Sequence, residues 1–375
     1  MQPSGPASLS AHPHAPLHAR LFQAIAEAGG WLPFERFMAI ALYAPGLGYY
    51  ARGSRQFGLF PASGSDFVTA PELSPLFGRA LARQVAQALD AAQADTVFEF
   101  GAGSGALAAQ LLQALGDRVR HYAIVDVSGS LRARQAERLA PFGSRVRWLD
   151  AWPEQLHGVV VGNEVLDAMP VTLLHWDGAR WHERGVVATA AGGFGWDDRP
   201  TALRPPTDAA LDAARPPGTV TEIHRQAQAY VRSLAPRLRR GAAFFIDYGF
   251  PEAEYYHPQR SGGTLMCHRA HRADADPLAD VGAKDITAHV DFSALALAAQ
   301  DAGLEVLGYT TQARFLINCG LLGLLAGAGP RETAAAQKLL NEHEMGELFK
   351  VLGLARGLPG FEPLGFTAGD RSHTL

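Results

Sequence analysis

The stretch VFEFGAGSG, Val97 to Gly105, limits what this chain can fold into more than any other. A short apolar run carries Glu99; Gly101, Gly103 and Gly105 follow at alternate positions; ALAAQLLQAL then continues as a helix-forming run. That order reads as strand, tight turn, helix. Glycine at such a turn lets the backbone pass close to a ligand without a Cβ clash. The next helix begins with N–H groups that have no partner inside the helix.

The turn alone leaves the ligand open. Gly101, Gly103 and Ala106 also satisfy the dinucleotide fingerprint, and a glycine turn can exist with no specific ligand. Glu99 tilts the choice toward S-adenosylmethionine, because a carboxylate beside the turn suits a cation bearing an amino group and a sulfonium. It is poorly placed beside a pyrophosphate. HYAIVDV, His121 to Val127, reads as the next strand, with Asp126 where a ribose-binding carboxylate is expected. Both ribose hydroxyls can donate to one carboxylate, a feature common to NAD and S-adenosylmethionine.

The surrounding 375 residues fit a large α/β domain or two medium ones. Hydrophobic residues make up 47% and the net charge is −4, with no domain-wide basic block, so a nucleic-acid role is not expected. The two cysteines, Cys267 and Cys319, offer neither a disulfide framework nor a zinc site and fit a reducing compartment. No apolar run reaches membrane-spanning length, and the N-terminal 20 residues read as a disordered leader of a cytoplasmic protein.

Along the chain, Leu17–Ala28 and Pro33–Leu42 have helical spacing. Tyr43 to Ser74 is a Gly- and aromatic-rich loop carrying Asp66, Thr69 and Glu72, expected to close over a cofactor. Leu76–Asp90 reads as a helix. Beyond Thr96 strands and helices alternate, which implies a mostly parallel sheet with helices on both faces and a ligand crevice at the carboxyl ends of the strands. Val171–His175 and Trp181–Val187 read as a hairpin, Ala191–Thr219 as loop, Glu222–Arg240 as one long helix, and Ala242–Ile246 as a buried strand.

Glu99, Asp126, Asp150, Asn163-Glu164 and Asp247 all follow or close apolar runs. Singly each is an ordinary turn or cap residue; together they form an acidic rim suited to a cationic ligand or substrate. In NEVLDAMP, Asn163, Glu164 and Asp167 cluster, and an amide with two carboxylates can grip a multi-donor cation such as a guanidinium. His289 and Asp291 in TAHVDF are candidates for the substrate mouth; His268 and His271 lack the further ligands a metal needs, so none is expected.

The chain resembles the MidA family of S-adenosylmethionine-dependent methyltransferases, which includes mitochondrial complex I assembly factors of methyltransferase type. The resemblance covers nearly the whole chain. It rests on GYY (Gly48–Tyr50), SDFVTAPELSPLFG (Ser65–Gly78), EFGAGSGALAAQLL (Glu99–Leu112), NEVLDAMPV (Asn163–Val171), DYG (Asp247–Gly249), GGTLMCHRAHR (Gly262–Arg272) and DITAHVDF (Asp285–Phe292). LRARQAERL, TQARFL and MGELFKVL add to it. The family commonly has Glu-x-Ser-Pro where this chain has Asp126-Val127-Ser128-Gly129, and GPGxG where it has GAGSG. Asp126 keeps the ribose acceptor despite being one methylene shorter.

The resemblance implies a Rossmann-like class I methyltransferase sheet and methyl transfer to an arginine of a protein, a respiratory complex I subunit in the mitochondrial members. S-adenosylmethionine would be the cofactor and S-adenosylhomocysteine the product. Asp66, Thr69, Glu99, Gly101, Gly103, Gly105, Asp126, Ser128, Asp150, Ala151 and Asn163 are the expected cofactor residues, with Asp150 and Ala151 at the adenine. Asn163, Glu164 and Asp167 are the expected catalytic residues, and Glu164, Asp167, Asp247 and His289 the expected substrate contacts. Three regions are expected: residues 1–94, helices and covering loop; 95–250, the cofactor core with a hairpin insertion near 171–220; 251–375, a substrate or cap region that completes the sheet. The expected setting is the bacterial cytoplasm, or the mitochondrial matrix in a eukaryote, with a homodimer left open. A scaffold that binds the cofactor without catalysis and a nicotinamide oxidoreductase stand as alternatives.

Overall fold

The computed structural model describes residues 14–52, 68–126, 129–269 and 271–375. It begins with α1 (Ala15–Glu27), β1 (Leu32–Pro33), α2 (Phe34–Tyr43), α3 (Ala70–Leu73) and α4 (Pro75–Ala92). The core then alternates through β2 (Thr96–Phe100), α5 (Ala106–Leu115), β3 (His121–Val125), α6 (Gly129–Leu139), β4 (Val146–Leu149) and β5 (Leu156–Asn163). An excursion follows: β6 (Thr172–Trp176), β7 (Trp181–Ala188), β8 (Phe194–Pro200), α7 (Ala209–Ala213) and β9 (Val220–Ile223). α8 (Arg225–Leu234) leads back to β10 (Leu238–Phe250), and α9 (Glu252–Tyr255) to β11 (Met266–Arg269), β12 (Arg272–Asp274), β13 (Asp285–Thr287) and β14 (Val290–Asp291). The chain closes with α10 (Phe292–Asp301), β15 (Glu305–Thr311), α11 (Gln312–Asn318), α12 (Leu321–Leu325), α13 (Pro330–Leu340) and β16 (Phe349–Arg356).

The main sheet has the order β15-β16-β10-β5-β2-β3-β4, with the short β14 beside β10. β4, β3, β2, β5 and β10 pair in parallel, and β16 runs antiparallel between β10 and β15. This is the expected doubly wound sheet. Val159, Val160 and Val161 are all buried because both faces are covered. Leu81, Leu111, Phe315 and Leu339, from α4, α5, α11 and α13, pack on one face; Val231 and Leu295, from α8 and α10, pack on the other. From β2 the chain moves out through β3 and β4, then resumes on the opposite side with β5 and β10. The crevice for a ligand lies at that reversal, between the ends of β2 and β5.

A third core joins α1 and α2 to the excursion and to β13 through Leu21, Phe37, Leu173, Val186 and Ile286. The hairpin β6–β7 is present, but the flanking segments differ from the sequence reading. Within Ala191–Thr219, β8 pairs along β7, and its Phe194 stacks on Phe22 at 4.7 Å. The strand is mostly polar, so alternation did not reveal it. Glu222–Arg240 is not one helix. Glu222 belongs to β9, paired with Leu173, and the helix stops at Leu234 before Pro236, which cannot supply a helical N–H.

Candidate functional site

A cavity of about 910 Å³ opens at the reversal between β2 and β5. One wall is the glycine turn. Gly101, Gly103 and Gly105 have φ of 64°, 53° and 79°, which L side chains adopt only with strain. A Cβ on Gly101 would also stand 3.1 Å from the Val165 side chain. Gly101 and Gly103 line the cavity, whereas Gly105 occupies the N-cap of α5 behind it.

Glu99, in β2, lines the same wall and is only 2% exposed. Its Oε2 accepts the Tyr122 hydroxyl at 2.8 Å. Burial pushes the carboxyl up to about 8; the Tyr122 bond opposes this and the Asp126 charge adds to it. Asp126, just past β3, lines the cavity, and its Oδ2 accepts Gln135 Nε2 at 2.8 Å. Gln135 also donates to the Gly103 carbonyl at 3.0 Å and accepts Trp148 Nε1 at 2.9 Å. One buried amide on α6 therefore fixes both the turn and the acid beside it.

Asp150 and Ala151 do not reach this cavity. Both are exposed, and Asp150 pairs with Arg132 at 2.7 Å. The next residue, Trp152, lines the cavity instead and meets Tyr230 edge-on at 4.9 Å, making an aromatic corner. Asp66 and Ser128 lie outside the described residues. Thr69 lines the cavity just before α3. Glu72 on α3 accepts Arg138 of α6 at 2.7 Å and the hydroxyl of Ser104, itself a lining residue of the turn. That latch ties α3 to the glycine turn.

The adjoining wall comes from NEVLDAMP, which leaves the neighbouring strand β5. Glu164 holds a left-handed φ of 53°, an unusual state for a side chain with a Cβ. Its amide donates to Ile246 O at 2.9 Å, and its Oε1 accepts Asn163 Nδ2 at 3.0 Å. Asp167 is 5% exposed and accepts the Tyr248 hydroxyl on Oδ2. Among the described residues, Asn163 Oδ1 and Asp167 Oδ1 are buried without a hydrogen-bond partner. Burial, then the Asp167 charge, pushes Glu164 up to about 8; burial lifts Asp167 to about 6 against the Tyr248 bond. His289 lines the cavity edge-on to Tyr248 at 5.0 Å, and burial lowers it to about 4, leaving a neutral imidazole.

Asp247 has a different position from the one expected. It is fully buried and outside the lining residues. Oδ2 accepts the amides of Leu166 and Asp167 at 2.9 and 3.2 Å, and Oδ1 accepts its neighbour Tyr248 N at 3.0 Å. It pins the turn that carries Asp167. Asp247→Ala strands two buried amides and a part-buried one, so the expected loss is about 2–3 kcal/mol of unfolding free energy in a denaturant titration; a loss under about 0.5 kcal/mol would contradict this role.

The sequence reading missed Tyr43, Tyr50, Tyr248, Trp152, Tyr230 and Asp285, all of which line the cavity. GYY, DYG and DITAHVDF contain three of them, the only signal available.

The donor and acceptor set fits a sulfonium nucleoside. Two glycines leave the turn open to close approach, a carboxylate stands at each of two neighbouring strand ends, and an aromatic corner faces them. Residues 80–310 match the family described as "Putative S-adenosyl-L-methionine-dependent methyltransferase". The chain is 28% identical over 377 residues to the mitochondrial protein arginine methyltransferase NDUFAF7 of Danio rerio, spanning 88% of this chain and 85% of that protein. The Caenorhabditis elegans homolog is 26% identical over 329 residues, 78% of this chain and 74% of its own. A candidate methyl transferase from Burkholderia thailandensis, crystallised with S-adenosyl-homocysteine, is 53% identical with a TM-score of 0.92, covering 99% of this chain and 100% of that one. A native crystal structure from the same organism gives 51% and 0.87 over 99% and 100%.

Proposed function

This chain belongs to the S-adenosyl-L-methionine-dependent methyltransferase family, and we propose that it methylates arginine side chains of a protein. One observation carries the proposal. Asn163, Glu164 and Asp167 face the cavity of the glycine turn, and two of their buried oxygens lack a donor among the described residues. A guanidinium brings five N–H donors in a plane and a permanent charge, which suits such a set. The names of the Danio rerio and Caenorhabditis elegans relatives support the same reading. Of the substrates the family resemblance implies, a respiratory complex I subunit is the one we put first.

S-adenosylmethionine, when bound, supplies an electrophilic methyl on a positively charged sulfur. Gly101 and Gly103 would give it close backbone approach, Asp126 would accept from its ribose, Glu99 would face its amino group, and Trp152 with Tyr230 would wall the base. Thr69 and the latched α3 help exclude water from the reacting atoms. Glu164 and Asp167 orient the guanidinium and draw its charge away from the attacking nitrogen. With carboxyls near 8 and 6 they are far weaker bases than a neutral guanidine, so they position the group before transfer; as the nitrogen takes the methyl and S-adenosylhomocysteine leaves as the neutral thioether, the surplus proton on that nitrogen passes to a neighbouring carboxylate or to water. Near-attack alignment is worth about 7–11 kcal/mol.

The raised carboxyls have a pH signature. Folded Glu99 and Glu164 hold protons up to about pH 8 that the unfolded chain gives up near 4.5. Their contribution to stability is therefore complete below about pH 4.5 and is lost as pH rises through 8. A cation bound beside them favours the charged form. S-adenosylmethionine binding near neutral pH is expected to release protons, read as a heat that varies with buffer ionisation enthalpy. A heat independent of buffer would contradict the assignment.

We further assign the chain to a bacterial cytoplasm. The likeness to the Burkholderia thailandensis proteins and two buried free cysteines support it. No helix among the described residues is long and apolar enough to cross a membrane. The reading is tested by incubating a lysate that lacks the protein with methyl-labelled S-adenosylmethionine and purified enzyme, then hydrolysing the labelled protein. Label is expected in methylated arginine; label confined to lysine or to carboxyl esters would overturn it.

A further inference from the structure

Asp285 opens β13, which belongs to a small sheet apart from the strands that carry the glycine turn. It is 2% exposed and lines the cavity. Its Oδ1 accepts the Ile286 amide at 2.9 Å and its Oδ2 accepts the Tyr50 hydroxyl at 2.7 Å. Tyr50 stacks on Tyr43, ring centroids 5.6 Å apart and 18° between planes. The Tyr43 hydroxyl donates to Ala168 O at 2.8 Å, beside Asp167. A tyrosine pair thus bridges Asp285 to the turn that carries the two substrate carboxylates. The Asp285 charge is also felt at Glu164, whose carboxyl it helps to raise.

We infer that Asp285 is a specificity-determining residue, a third carboxylate that takes the guanidinium edge turned away from Glu164 and Asp167 and so selects arginine over lysine. The inference rests on the arginine reading above. An ammonium gathers three donors on one atom, and two carboxylates on one side suffice for it. A guanidinium spreads five donors around a plane, and an edge buried without an acceptor is costly. The buried Asn163 Oδ1, which has no donor among the described residues, is the independent sign that this cluster awaits hydrogen-bond donors.

The test uses the full chain loaded with S-adenosyl-homocysteine, titrated with acetyl-Gly-Arg-Gly-amide and with its lysine counterpart. Asp285→Asn is expected to weaken the arginine peptide by about tenfold or more, the worth of one charge-assisted hydrogen bond. Lysine-peptide binding should change by less than about threefold, and S-adenosyl-homocysteine binding by less than about twofold, because neither uses that edge. In turnover the loss should fall on peptide KM. Should Asp285→Asn fail to fold, Tyr50→Phe decides: it keeps the carboxylate but removes the hydroxyl that aims its Oδ2, and about a threefold loss on the arginine peptide alone is expected. A wild-type arginine-to-lysine ratio in the variant that folds would overturn the inference. If Glu164→Gln still weakens the arginine peptide there, the arginine reading survives. Failure of that reading looks different: the unmodified protein itself would show no preference for the arginine peptide, and the inference would fall with it.

Discussion

Glu164→Gln is expected to bind S-adenosyl-homocysteine within about twofold of the unmodified protein and to lose methyl transfer by about 10²–10³-fold, the usual effect of removing one group aimed at reacting charge. The replacement is isosteric and can keep a contact with Asn163, which now donates to Glu164 at 3.0 Å. What it removes is the carboxylate that can hold a guanidinium. The strained backbone at this position, φ 53°, argues that the fold spends stability to aim this side chain into the cavity. Single-turnover rates with saturating cofactor, set beside calorimetric affinities, separate the two effects. An equal fall in both would move Glu164 to the cofactor side of the cavity.

Asp126→Ala should do the opposite and strike the cofactor. Two ribose hydroxyls donating to one carboxylate are worth about 1.5–3 kcal/mol each, so S-adenosyl-homocysteine should bind about 10²–10⁴-fold more weakly. Gln135 Nε2 also loses one of its two acceptors, which loosens the Gly103 side of the turn. The thermal shift given by saturating S-adenosyl-homocysteine should shrink accordingly. Asp126→Glu, which restores the family's more common residue, should recover affinity to within about tenfold, since the acceptor returns one methylene further out. Unchanged affinity in the alanine variant would remove Asp126 from the ribose.

These two positions were legible before any coordinates because each closes an apolar strand beside a glycine turn, and the doubly wound sheet brings such ends to one rim. Asp247 has the same sequence appearance and a different fate. β10 runs on to Phe250, so alternation decides where residue 247 points: Ile246 packs with one face of the sheet, while Asp247 turns to the face of Phe245 and is covered by the turn it pins. A strand's end is easier to guess than its length. Asp150 illustrates the same limit by two residues, the aromatic Trp152 taking the cavity wall.

Contacts remote in sequence were beyond reach. Tyr50 and Asp285 are 235 positions apart, and no local pattern couples a GYY segment to the start of DITAHVDF. The excursion β6–β9 was half legible: its hairpin follows from alternation around Asp177-Gly178, while the polar β8 and the strand ahead of α8 are set by pairing with neighbours rather than by their own composition.

One cavity is expected to hold the sulfonium nucleoside on its glycine wall and an arginine side chain on its NEVLDAMP wall. A crystal structure of the enzyme with S-adenosyl-homocysteine and an arginine-bearing peptide measures this directly. Guanidinium nitrogens are expected about 2.7–3.2 Å from carboxylate oxygens of both Glu164 and Asp167. A guanidinium seated outside the cavity, or inside it without touching either carboxylate, would contradict it.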